Sequence, residues 1–297
     1  MEPDLNADQP TRSLLRRWFR RPTLPFARGR EALVLAMASG KGGTGKSFLT
    51  TNLAVAIHRA GRRVAVADCD FGLANAHLLF GVNPQFTMQH LLGGELPAQQ
   101  VLAATPYGPG LLAGGSGIAS LAELDVRHMQ ALAKALHWLA AAHDVVLLDC
   151  AAGLAPQSMI TVLAAQHVVL VTNPEIAALT DAYALIKCIA RQPERPAIHL
   201  VVNRTTRQGL GRATFDRLAE VSRRFAGCEI HYLGEVPEDP AVTQRRLGQP
   251  PLVVSDPECE TSRAIQRILE NLQHLGAAAS APVTGVLARM NAQIRRW

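Results

Sequence analysis

The stretch Ala36-Met37-Ala38-Ser39-Gly40-Lys41-Gly42-Gly43-Thr44-Gly45-Lys46-Ser47 decides how the whole chain is read. An apolar run, Ala32–Ala38, leads into it, and a helical pattern, Ser47–Ala60, stopped by Gly61, leads out of it. Gly40 to Ser47 satisfies G-x-x-x-x-G-K-[ST] in strand–loop–helix context. The spacing has a mechanical reason. Gly40, Gly42, Gly43 and Gly45, with Thr44, let consecutive backbone N–H groups turn inward towards phosphate oxygens, and the helix N-terminus adds its partial positive charge. In this pattern Lys46 neutralises the β- and γ-phosphates and the Ser47 hydroxyl ligates Mg²⁺. A second lysine, Lys41, sits in the same tight glycine turn; burial there without a partner is costly, so it is expected to point outward.

Outward from this loop the pattern repeats. Apolar runs that end in polar or acidic residues recur at Val64–Ala67 before Asp68, Val145–Leu148 before Asp149, Val168–Thr172, Ile198–Val202 before Asn203, and Glu229–Val236 before Pro237-Glu238. Helical stretches lie between them at Val126–Ala142, Thr180–Ala190 and Gly211–Phe225, and a further one at Pro257–Leu275. This alternation predicts an α/β fold with a doubly wound, mostly parallel sheet and helices on both faces, spanning 31–275. In such sheets ligands bind at the carboxyl ends of the strands, where these polar residues fall. Asp68 and Asp70, two apart at a strand end, suit either magnesium and an attacking water or the capping of the next helix. Asp149 after Val145-Val146-Leu147-Leu148 is the pattern of a carboxylate that holds Mg²⁺ directly or through water, with the small residues Ala151-Ala152-Gly153 behind it.

Composition sets the outer limits. In 297 residues, 48 % apolar and 18 % charged, a large core is feasible and wholesale disorder is excluded. Five scattered cysteines without a C-x-x-C pair fit a reducing cytoplasm and disfavour a metal cluster built within one chain. The net charge of +6 is concentrated at the ends. Residues 1–30, broken by Pro3, Pro10, Pro22 and Pro25, carry seven arginines against three acids, and 283–297 carry three arginines and no acid. The body between is near neutral, which disfavours DNA as a partner and suits a membrane surface or an acidic protein. In the tail, Val283, Val286, Leu287, Met290, Ile294 and Trp297 share one helical face within an arc of about 100°. With Arg289, Arg295 and Arg296 off that stripe, the tail is expected to be an amphipathic helix on anionic lipid, joined through a linker at 276–282; the alternative is a helix docked on the protein's own core.

The K-G-G-x-G-K-[ST] form of the loop, with Lys41 after the first glycine, resembles the deviant Walker A motif of the MinD/ParA group of P-loop ATPases. That resemblance implies a slow, partner-stimulated ATPase using ATP and Mg²⁺. It also implies an ATP-dependent homodimer in which Lys41 reaches the partner's nucleotide, and reversible attachment to the inner face of the cell membrane. It assigns Asp70 to water positioning, Asp68 to the metal environment with Ser47 and Asp149, and Asn203, Pro237 and Glu238 to the base. Cys150 stands where the group commonly has Thr or Ser, and His77 where it commonly has Asp. Within the group, Asp70-Phe71-Gly72-Leu73-Ala74-Asn75, Gly115-Ser116-Gly117-Ile118, Leu121-Ala122-Glu123-Leu124 and Thr180-Asp181-Ala182-Tyr183-Ala184-Leu185-Ile186-Lys187 resemble the flagellar-number regulators of FlhG/FleN type. Thr172-Asn173-Pro174-Glu175 is closer to MinD. The flagellar branch implies a flagellar GTPase and a flagellar transcription activator as partners, through an N-terminal element that Asp8-Gln9-Pro10 begins and whose Leu-Arg spacing then slips. Division-site placement of MinD type is the alternative. So is DNA partitioning of ParA type, with Arg204, Arg207 and Arg212 on phosphates.

Overall fold

The computed structural model describes residues 32–115, 124–246, 248–278 and 285–296, with the side chains of 273–278 left aside. The N-terminal segment 1–30, Ser116–Ile118 and Leu121–Glu123, most of the predicted linker, and Trp297 lie outside the described residues. In chain order the elements are β1 Leu33–Ala38, α1 Lys46–Arg59, β2 Val64–Cys69, α2 Ala76–Leu79, α3 Met88–Leu92, α4 Ala98–Val101, β3 Ala103–Ala104 and β4 Gly110–Leu112. They continue with α5 Val126–Ala142, β5 Val145–Cys150, α6 Pro156–Ala164, β6 His167–Thr172, α7 Ile176–Ala190, β7 Ala197–Thr205, α8 Leu210–Val221 and β8 Ile230–Pro237. After them come α9 Pro240–Thr243, α10 Leu252–Ser255, α11 Glu260–Ala278 and α12 Val286–Ile294. The eight strands form one sheet in the order β3-β4-β2-β5-β1-β6-β7-β8, parallel throughout except for the β3–β4 edge pair.

The inner strands are apolar along their whole length because helices cover both faces. On one face α5, α6, α7 and α8 bury Val34, Ala36, Val146, Leu148, Val168 and Leu170. On the other, α1 and α11 bury Leu35, Met37, Val66, Leu147, Val169 and Val201. Strands β2 and β5 run two residues further than their apolar runs suggest, because the parallel ladder continues through Asp68↔Asp149 and Cys69↔Cys150. That places two carboxylates side by side at the carboxyl end of the sheet. Predicted helix 180–190 starts a turn earlier, at Ile176, and 211–225 ends in one π-turn, Ser222–Ala226, closed by left-handed Gly227. Helix α11 runs to Ala278, into the stretch expected to be linker.

The tail helix takes the second of the two settings that its stripe allows. It packs on α5 and α6, and Val286, Met290 and Ile294 are buried there. In this conformation the stripe completes the protein's own core, since α5 and α6 present an apolar groove that water would otherwise wet. Arg289 donates to the Ala165 carbonyl at 3.1 Å and fixes the helix along that groove. Among the described residues no helix is long and apolar enough to cross a membrane.

Candidate phosphate-binding site

Three loops meet at the carboxyl end of β1, β2 and β5. The loop after β1 wraps the start of α1, whose first residue follows Gly45 in the left-handed region at φ +90°. A side chain at Gly45 would be strained there and would also overlap the Asn203 amide. A Cβ on Gly40 would collide with the backbone of Asp181 in α7, so that glycine permits a close approach between loop and helix. Gly42 and Gly43 face open space. No side chain caps α1 and its first turn holds no acid, so its leading N–H groups stay available to an anion.

Lys46 is buried and its Nζ lies 2.5 Å from Asp149 Oδ1 and 3.3 Å from Ser47 Oγ. Burial alone lowers the ammonium pKa; the Asp149 carboxylate outweighs it, and the net shift is upward. Thr50 Oγ1 donates to the same Asp149 oxygen at 3.3 Å. Asp149 Oδ2 is buried with no hydrogen-bond partner, as are Thr44 Oγ1 and Asn173 Oδ1. Buried orphan oxygens of this kind beside a lysine are what a magnesium nucleotide would satisfy, and the donor set of Ser47 hydroxyl plus carboxylates is the hard-oxygen chemistry magnesium takes.

Asp68 is fully buried opposite Asp149. Its oxygens accept from the backbone N–H of Asp70 at 3.2 Å and of Ala76 at 3.0 Å, so it fastens the loop after β2 and the start of α2. Burial, then repulsion from Asp149, pushes its pKa up to about 7. Asp70 is half-buried, and its Oδ1 accepts from Leu73 N at 3.0 Å in a short turn. Thus Asp68 braces the start of α2 and Asp70 closes a turn before it, and of the two only Asp70 is partly open to solvent. On the third loop, Gly153 N donates to Ser39 O at 3.0 Å, tying it to the phosphate loop. Cys150 beneath it is fully buried, with its thiol pKa pushed up to about 12 by burial, so it is an inert packing residue. His77, in α2, is half-buried, and burial lowers its pKa.

Lys41 points outward and pairs with Glu175 at 3.3 Å on the loop after β6, its side chain 42 % exposed. At the same end of the sheet Leu73, Leu154 and Ile176 stand exposed, after β2, after β5 and at the first residue of α7, an apolar rim at the phosphate end. Asn203 Nδ2 donates to Thr44 O at 2.7 Å and braces the phosphate loop, which leaves its Oδ1 as the free amide atom. Pro237 and Glu238 do line a cleft of about 1090 Å³ at the ends of β7 and β8, together with Thr205, Arg207 and Asp239. Of the three arginines that a DNA contact would use, Arg212 is engaged by Asp216 at 3.1 Å and lies over the Phe215 and Tyr232 rings. Thr44, Thr50, Asn173 and Glu175 belong to the site by position. Thr44 and Glu175 stand in the quoted motifs, whereas Thr50, one helical turn beyond Lys46, follows only from helix periodicity.

The family model described as ParA, NUBPL iron-transfer P-loop NTPase, matches residues 31–273. The chain belongs to the ParA family of P-loop NTPases. It is 32 % identical over 239 residues to the antiactivator FleN of Pseudomonas aeruginosa, covering 80 % of this chain and 85 % of that one. It is 34 % identical over 203 residues to the flagellum site-determining protein YlxH of Helicobacter pylori, covering 68 % of each. Among solved structures, the septum site-determining protein MinD of Pyrococcus horikoshii, complexed with Mg-ADP, superposes with a TM-score of 0.70 at 28 % identity, covering 85 % of this chain and all of that one.

Proposed function

We propose that the chain is an ATP-dependent, dimerising and membrane-associating switch ATPase that regulates the number or placement of flagella. The observation that carries the dimer is Lys41: a cation built into the phosphate loop, yet turned to the surface at the end of the sheet where Leu73, Leu154 and Ile176 form an apolar rim. An exposed apolar rim at the same end as an ion-paired lysine is suited to burial against a second copy. ATP would lie along Gly40–Ser47, with its β- and γ-phosphates replacing Asp149 as the partner of Lys46. Ser47 and Asp149 would hold Mg²⁺, with Asp68 behind them; the ion supplies charge neutralisation for the transferred phosphoryl group. Asp70, the carboxylate of this set that solvent reaches, positions the attacking water. Pro237, Glu238 and Asn203 Oδ1 receive the base.

The flagellar role rests on the likeness to FleN and YlxH and on Thr180–Lys187, which forms α7 and packs directly on Gly40. Flagellar GTPase and transcription activator are the corresponding partners. Membrane attachment requires α12 to leave α5 and α6, and places the dimer on the inner face of the cell membrane. The test is light scattering with a non-hydrolysable ATP analogue and Mg²⁺. Native chain doubles in mass and Lys41→Ala stays monomeric, while Asp70→Ala dimerises but loses turnover. A native chain that remains monomeric with saturating analogue overturns the proposal.

A further inference from the structure

Helices α6, α7 and α12 line an open groove of about 350 Å³, within the range of small-molecule sites. Its floor is apolar, from Ile160 and Leu163 of α6. Gln293 of α12 lines it; that residue is 8 % exposed and its amide makes no hydrogen bond among the described residues. Arg191 and Arg296 stand at the rim, exposed and outside any ion pair among the described residues, and no carboxylate lines the groove. An apolar floor, an amide with no protein partner among the described residues and two guanidinium groups share one complement.

We propose that this groove binds an anionic amphiphile, an alkyl chain ending in a carboxylate or phosphate ester, with the chain on Ile160 and Leu163 and the anion at Gln293, Arg191 and Arg296. Guanidinium groups match carboxylate and phosphate geometry, and the alkyl chain replaces water on the floor. Because its walls come from three helices, occupancy pins α12 against α6. The site is independent of the nucleotide reading.

The thiol of Cys188 lines the same groove and reports on it. With the full chain, alkylation of Cys188 by iodoacetamide is followed by peptide mass spectrometry, with half-buried Cys259 as internal reference. Decanoate below its micelle concentration, at ten times its dissociation constant, slows Cys188 by about tenfold and leaves Cys259 unchanged. Decanol slows it far less, and an Arg191→Glu, Arg296→Glu variant with native circular dichroism loses the protection. Protection by dispersed decanoate assigns the site to a free amphiphile; protection only by phosphatidylglycerol vesicles assigns it to a lipid in a bilayer. Equal effects of decanol, protection retained in the double variant, equal slowing of Cys259, or no slowing with either probe overturns the proposal.

Discussion

Removing one member of the Lys46–Asp149 pair should cost more than removing both. The side chains are 7 % and 0 % exposed and 2.5 Å apart, so neither charge has water to fall back on. Breaking a buried pair from one side typically costs about 3–5 kcal/mol, whereas replacing both with apolar residues of similar volume is often neutral or stabilising. Asp68 shifts these figures in a definite direction. Asp149→Leu relieves the repulsion that helps to hold the Asp68 pKa at about 7, so Asp68 becomes the new partner of Lys46 and the cost falls towards about 3 kcal/mol. Lys46→Met leaves two buried carboxylates facing each other, and they must share a proton. An acid whose folded pKa lies above its unfolded value loses stability as pH rises from the unfolded towards the folded pKa. The Lys46→Met penalty should therefore be larger at pH 8 than at pH 6, by about 1.4 kcal/mol per pH unit for each proton lost. The double variant should fall within about 1 kcal/mol of the parent. Urea unfolding of the nucleotide-free protein, with unchanged slope and shifted midpoint, gives all four values. A double variant as unstable as the sum of the singles refutes the reasoning, because it would mean that the two charges act separately.

Gly45→Ala combines a φ of +90° with overlap on Asn203, and is expected to weaken nucleotide binding by at least about tenfold in calorimetric titration, for about 1–2 kcal/mol of strain at the loop. Glu175→Ala removes an exposed ion pair, so thermal stability should move by under about 1 kcal/mol while Lys41 becomes faster to acylate; an unchanged acylation rate would show that the pair does not hold. His199 lies between His167 at 3.1 Å and the stacked ring of His231, and burial, then these neighbours, lower its pKa to about 3. A base with a lowered folded pKa loses stability as pH falls from its unfolded value near 6.5, by up to about 1.4 kcal/mol per pH unit. His199→Leu should flatten that slope in denaturation at pH 4–7. Met290→Asp places a charge at a fully buried position of α12 and should release the helix, seen as increased dye binding and increased pelleting with anionic vesicles.

Where sequence and structure diverge, the cause is local. The phosphate loop was legible because its glycines and lysine are required by backbone geometry that nothing else supplies. The ends of β2 and β5 were not, because a carboxylate usually closes a buried run. Here Asp68 and Asp149 continue it, held by two backbone N–H groups and by Lys46 respectively. Helix α6 lacks a polar face of its own, with Ile160, Thr161, Val162, Leu163 and Ala164 all buried, so no periodicity marks it. For α12 the pattern announced an apolar stripe correctly, but a stripe does not name what covers it. Likewise Asn203 announced a polar strand end, and only packing shows that its Nδ2 is engaged by the Thr44 carbonyl.

Helix α6 begins three residues after Gly153, which is bonded to the phosphate loop, and ends against α12. Nine helical residues make a stiff strut about 13 Å long. The loop bonded to Ser39 and the helix on which the tail rests are thus consecutive parts of one stretch of chain.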